Sequence, residues 1–115
     1  MKFSSYIIKN SIVILRLEGR LDISNVAEFE SLLDTSRKLS PTCNFILDLA
    51  GVEYLSSSAL RVIVAAYRKL TEVKLSLVLL NPTSMCAKIL EVTKLDDVID
   101  IFDSEKEAIN SFTVK

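Results

Sequence analysis

The chain has no histidine and no tryptophan, and only two glycines, two prolines and two cysteines in 115 residues. These shortages exclude more than the averages do. Without histidine, this chain alone cannot build a Ser-His or Cys-His nucleophilic arrangement or a His-ligated metal site. Gly19 and Gly51 are the only glycines. The GxGxxG dinucleotide turn and the GxxxxGK[ST] phosphate loop, which both bring backbone close to phosphate, are therefore absent. Cys43 and Cys86 stand alone and far apart, whereas structural zinc needs clustered ligands and a small secreted domain usually carries several paired cysteines. Both read as reduced, partly buried small hydrophobes. An excess of charge of one sign is also lacking: 14 basic against 15 acidic residues give a net charge of -1, too weak a field to gather nucleic acid or anionic lipid. No cofactor and no nucleic-acid partner are expected. The apolar stretch from Ile12 to Leu17 is interrupted by Arg16 and is too short for an export signal or a membrane span. The expectation is cytoplasmic residence without membrane insertion.

What is present is a packed globule. Half of the residues are hydrophobic and a quarter are charged, and the length fits one domain, residues 1–115. β-Branched residues mark two early strands, Tyr6 to Lys9 and Ser11 to Glu18, joined tightly at Asn10-Ser11 as an antiparallel hairpin. The period then changes. Val26, Phe29, Leu32, Leu33 and Leu39 share a helical stripe, with Ser24 or Asn25 as N-cap and Ser40-Pro41 as the stop. Phe45-Ile46-Leu47, within Asn44 to Leu49, reads as a central strand buried on both faces. A second helix carries Leu60, Ile63, Val64 and Tyr67. Lys74 to Leu80 is another buried strand, and Asn81-Pro82 turns the chain into a third helix through Met85, Cys86, Ile89 and Leu90. Val98 to Phe102 reads as a short last strand. Ser104 with Glu107 matches a capping box opening a final helix through Ala108, Ile109 and Phe112. The string β-β-α-β-α-β-α-β-α predicts an α/β domain with a mixed sheet of four to five strands and about four helices packed mainly on one face. Functional surfaces in such sheets lie beyond the carboxyl ends of the strands, which flags the loops Gly19 to Asn25 and Ala50 to Ser58.

Ser56-Ser57-Ser58 falls at the start of the second helix, where free backbone N–H groups and the dipole favour negative charge. Phosphorylation there would add roughly 1.5 to 2 negative charges and change the surface without refolding. The plainer reading is one serine as an N-cap worth about 1 kcal/mol with the others solvated. Arg61, Arg68 and Lys69 on the second helix read as its solvated side. Tyr54 and Tyr67 read as packing residues. Leu21, Ile23 and Leu55 are apolar positions that either form an exposed docking patch or tuck inward.

The run Asp48-Leu-Ala-Gly-Val-Glu-Tyr-Leu-Ser-Ser-Ser-Ala-Leu60 resembles the signature of STAS domains, specifically the bacterial anti-sigma factor antagonists. Gly19-Arg20-Leu21-Asp22 resembles that family's Gly-x-Leu-Asp, and Lys94-Leu95-Asp96 to Phe102 its C-terminal pattern. The resemblance implies a non-enzymatic partner switch. Such a protein binds a GHKL-type serine-kinase anti-sigma factor, is silenced when that kinase phosphorylates it, and is restored by a serine phosphatase. Carried over by position, the acceptor is Ser57, with Ser58 as second candidate, and Asp22, Ser56, Ser57 and Ser58 form the partner-binding group. Asp22 has an alternative reading as a loop aspartate capping the next helix. Two departures stand out: Ser56 replaces the usual Asp before the acceptor, and Ala59 the usual Gly two after it. They favour the rival expectation of a constitutive STAS adaptor in a transporter or signalling complex, without phosphorylation. An enzyme on the same scaffold, using Asp22, Asp48 and the serines, is the remaining alternative.

Overall fold

The early β-branched residues form a hairpin longer than the sequence predicts. In a computed structural model describing residues 1–112, β1 (Lys2–Ile8) runs antiparallel to β2 (Ile12–Leu21) in an unbroken register from Lys2 opposite Glu18 to Ile8 opposite Ile12. The reversal sits one residue earlier than expected. Lys9 and Asn10 take φ of 52° and 56°, and the Ser11 N–H donates to the Ile8 carbonyl at 3.0 Å. Two left-handed central residues match the right-handed twist of the paired strands.

Every later strand is parallel to its neighbour, giving one five-stranded sheet in the order β1-β2-β3-β4-β5. Parallel neighbours need crossovers, supplied by α1 (Val26–Leu39) into β3 (Asn44–Leu55), α2 (Ser57–Glu72) into β4 (Leu77–Leu80), and α3 (Ser84–Val92) with a 3-10 turn (Leu95–Asp97) into β5 (Ile101–Phe102). A short α4 (Glu105–Asn110) follows. The last two strands are shorter than expected: Lys74 closes α2 in a left-handed conformation (φ 66°), and the 3-10 turn occupies the approach to β5. Leu39, placed on the α1 stripe from sequence, is 78% exposed, because it stands roughly 80° round the helix from Phe29 at 3.6 residues per turn.

The sheet is covered unequally. On one face Val13, Leu15, Leu17, Phe45, Leu47 and Leu49 meet Phe29 and Leu33 of α1, Leu60, Ile63 and Leu70 of α2, and Cys86 and Leu90 of α3 in one buried cluster. On the other, Ile12, Ile14, Ile46 and Val78 are covered by α4 through Ala108, with Ile109 and Phe112 packed alongside. Each Leu or Ile so buried contributes about 1.5–3 kcal/mol relative to exposure. Both cysteines are free and fully rather than partly buried.

The stretch after Leu49 that sequence reads as loop is strand as far as Leu55. Two register shifts explain the misreading. Arg16 pairs with Asp48 but Glu18 with Gly51, and Gly19 pairs with Val52 but Arg20 with Tyr54. Each shift inserts one extra residue on β3 and breaks the two-residue alternation by which a strand is recognised. Both glycines serve this stretch. A Cβ on Gly51 would meet the Leu17 carbonyl oxygen at 3.0 Å and Glu18 Cγ at 2.9 Å, and Gly19 has a φ of 101°.

Candidate functional site

The bulged pair β2 and β3 ends in step. Leu21 pairs with Leu55, and the Ser56 N–H donates to the Leu21 carbonyl at 2.9 Å. Asp22 and the three serines therefore leave the sheet side by side at the carboxyl ends of adjacent strands. Ser56 has extended backbone and is the N-cap of α2, its Oγ accepting from the Ala59 N–H at 3.1 Å. Asp and Ser are near-equal caps, so Ser56 keeps the capping role of an Asp while giving up its charge. Ala59 is fully buried on α2. Ser57 and Ser58 are the first two residues of the helix. Ser57 is exposed, whereas Ser56 and Ser58 are half-buried. The first turn of α2 contains no acidic residue, so its unpaired N–H groups and positive dipole end have no anionic side chain of their own.

Asp22 is held by its own loop. Its Oδ1 accepts from the Ser24 hydroxyl at 2.6 Å and the Ser24 N–H at 3.0 Å, and Arg20 Nε lies 3.6 Å from Oδ2. The hydrogen bond from the Ser24 hydroxyl, followed by that from its backbone N–H, pulls the Asp22 carboxyl below its ordinary value of 3.8, so a fixed anion stands here at neutral pH. Asp22 does not cap α1. Asn25 occupies the cap position without a side-chain cap bond, and instead accepts from the Asp22 N–H at 3.0 Å and donates to the Arg20 carbonyl at 2.8 Å. Arg20 also lies 4.6 Å from the centre of the Tyr54 ring on the neighbouring strand. Of the three apolar positions flagged near the site, Leu21 and Leu55 are buried, while Ile23 is 76% exposed beside Asp22.

Two features escape sequence reading. One is a charged latch on the second face. Arg16 Nη1 contacts Asp48 Oδ2 at 2.7 Å and Glu105 Oε1 at 3.0 Å, and its guanidinium lies 5.1 Å from the Tyr6 ring centre. Asp48 is buried and also accepts from the Ala50 N–H at 3.0 Å. Hydrogen bonds to Glu105 and then Asp48 push the Arg16 guanidinium above its ordinary pKa. The available signal was a charged residue at a pleat position of each buried strand. The other feature is an open groove of about 500 Å³ beside α2 that begins at Ser57 and takes in Arg61 and Arg68. The helical spacing of these arginines is visible in sequence, but the opposite wall is not. Lys69, by contrast, reaches Asp34 of α1 at 3.5 Å. Among the described residues no helix is long and apolar enough to cross a membrane.

The family model for the STAS domain matches residues 5–108. A Thermotoga neapolitana protein described as a candidate anti-sigma factor antagonist is 28% identical over 104 residues, covering 90% of this chain and 92% of its own. The crystal structure of a Thermotoga maritima protein described as a candidate anti-sigma factor antagonist superposes with a TM-score of 0.86 at 26% identity, covering 95% of this chain and 92% of that one. The anti-sigma factor antagonist SpoIIAA in its unphosphorylated form shares the fold, with a TM-score of 0.82 at 22% identity over 97% of this chain and 96% of its own. SpoIIAA from Bacillus has also been solved phosphorylated, and superposes at 0.73 over 96% and 99% of the two chains, again at 22% identity. The family match spans nearly the whole sheet and its helices, from residue 5 to residue 108, so this chain belongs to the STAS domain family.

Proposed function

We propose that this protein is an anti-sigma factor antagonist acting in the cytoplasm as a binding module rather than an enzyme. It docks the corner formed by Asp22 and the start of α2 on a serine-kinase anti-sigma factor of the GHKL type, and it is switched off by phosphorylation of Ser57. The observation that carries this reading is that Ser57 is the exposed serine of the three, at a helix N-terminus with no acidic residue in its first turn. The relatives' description as anti-sigma factor antagonists and the phosphorylated form of SpoIIAA support it.

The chemistry asks little of this chain. The kinase transfers the γ-phosphoryl group of ATP to Ser57 Oγ, an O–P bond forming as the bond to the departing ADP breaks and the hydroxyl proton is released. The new group gains from the dipole and free N–H groups of α2 by about 0.3–1 kcal/mol, so the fold tolerates it. The bound kinase meets a different surface: Asp22 is already ionised there, and a phosphate on Ser57 adds roughly 1.5–2 further negative charges. A serine phosphatase reverses the step by hydrolysis.

The absence of an Asp before Ser57 is the observation that favours a second reading, a constitutive adaptor in which Ser56 is a cap and nothing is phosphorylated. A pull-down from the native host with wild type and Ser57→Glu as parallel baits separates the two. The switch predicts that wild type retains a serine kinase that Ser57→Glu loses. If both baits hold the same transport or scaffold complex, the adaptor reading replaces it.

A further inference from the structure

The groove beginning at Ser57 is floored by Leu60 and Val64 of α2 and walled on the far side by Leu95 of the 3-10 turn. Among the described residues, the only charged side chains lining it are Arg61 and Arg68. Both are exposed, and neither has an ion-pair or hydrogen-bond partner among the described residues. That is unlike the other arginines: Arg16, Arg20 and Arg37 are each tied to a carboxylate. The two arginines are seven residues apart on one helix, which sets their Cα positions about 10 Å apart along its axis. A single small carboxylate cannot bridge that span, so an occupant that uses both must be extended and carry its charges at matching intervals.

We propose that this groove takes an amphipathic segment of the partner kinase. Its apolar side chains rest on Leu60, Val64 and Leu95, and two carboxylates about 10 Å apart, the spacing of positions i and i+7 on a helix, pair with Arg61 and Arg68. The inference rests on the partner-switch reading above and gives the partner's contact surface a chemistry. It also gives the switch a mechanism beyond repulsion at the loop. Arg61 is four residues after Ser57, the separation at which side chains meet on a helix. A phosphate on Ser57 therefore competes for Arg61 with the partner's first carboxylate and sets roughly 1.5–2 negative charges at the mouth of the groove. Arg68, almost two turns further on, keeps its charge but loses the partner anchored beside it.

The test uses the full chain and, as probe, the purified serine kinase retained by the wild-type bait. Arg61→Glu, Arg68→Glu and a control of equal charge change, Lys106→Glu on α4 across the sheet, are titrated calorimetrically at low and high salt. Arg61→Gln and Arg68→Gln serve as neutral counterparts if a reversal perturbs folding by circular dichroism. Each groove reversal is expected to weaken binding about tenfold or more, the control to stay within about twofold, and wild-type affinity to fall with salt. Binding by both groove variants within about twofold of wild type overturns the inference while leaving the partner switch standing. If no kinase is retained at all, the functional reading fails first and the groove assignment falls with it.

Discussion

Two helices of this protein begin almost identically and are put to different use. Ser56 caps α2 by accepting from the Ala59 N–H at 3.1 Å, and Ser104 caps α4 by accepting from the Glu107 N–H at 3.3 Å. There the likeness ends. α4 has Glu105 and Glu107 in its first turn, and α2 has no acidic residue in its own. At α4 the positive end of the dipole is matched by resident carboxylates, one of which reaches Arg16 to fasten the helix to the sheet. At α2 it is left open, with an exposed hydroxyl in the place where a charge could be added. The anchoring differs as well: six buried residues hold α2, but only Ala108 is buried on α4. The lesson is that a helix start becomes a candidate switch by omission, where capping is complete, charge is withheld and the helix beneath is firmly seated.

The comparison can be broken most severely at the seat of α2. Ile63 is fully buried against the main cluster, and Ile63→Ala is expected to cost about 3 kcal/mol in urea unfolding. A loss comparable to that of an exposed site would mean that α2 is not the rigid platform described. Next is the latch on α4. Arg16→Ala strips the buried Asp48 of its charged partner, and since the Arg16 side chain is 36% exposed, the loss is set at about 2 kcal/mol, below the range for a fully buried pair. Amide exchange in α4 should accelerate with it, while α2 stays protected. Equal acceleration in both helices would refute the separation.

The caps come third. Ser56→Ala is expected to lower stability by about 1 kcal/mol, and Ser56→Asp to restore it, because Asp caps equally well and adds charge at the dipole's positive end. A destabilised Ser56→Asp would show that the cap site has been misjudged. The smallest effect is electrostatic and local. Asp22 titrates below 3.8 because of Ser24, so whatever stability it lends is present above its unfolded pKa and is lost as pH falls through the lower folded value. Ser24→Ala should move the midpoint of the Asp22 carboxyl titration, followed by NMR, to higher pH. An unmoved titration would place the cause elsewhere.

The element order and the buried centres of the helices were legible in the sequence, because hydrophobic period and caps are local signals: Phe29 and Leu33 on α1, Ile63 on α2 and Ser104 at α4 stand where the pattern puts them, whereas Leu39 and Met85, placed on the helical stripes from sequence, are exposed. It was less informative where structure depends on pairing. The stretch from Ala50 to Leu55 reads as loop because the two bulges that let β3 follow β2 are properties of the pair, and each places an extra residue on β3 that breaks the alternation of that strand. The same holds for the site. The three serines and Asp22 are conspicuous as residues, but that they leave adjacent strand ends depends on the pairing of Leu21 with Leu55. Arg16 and Asp48, 32 residues apart, become partners only through that register.

A switch at Ser57 is tested by mapping phosphorylation by tandem mass spectrometry on the protein recovered from its own host, with and without phosphatase treatment. A phosphatase-sensitive population carrying one phosphoryl group on Ser57 and none on Ser56 is expected. A protein bearing no phosphate under any growth condition, or bearing it only outside the three serines, would contradict it.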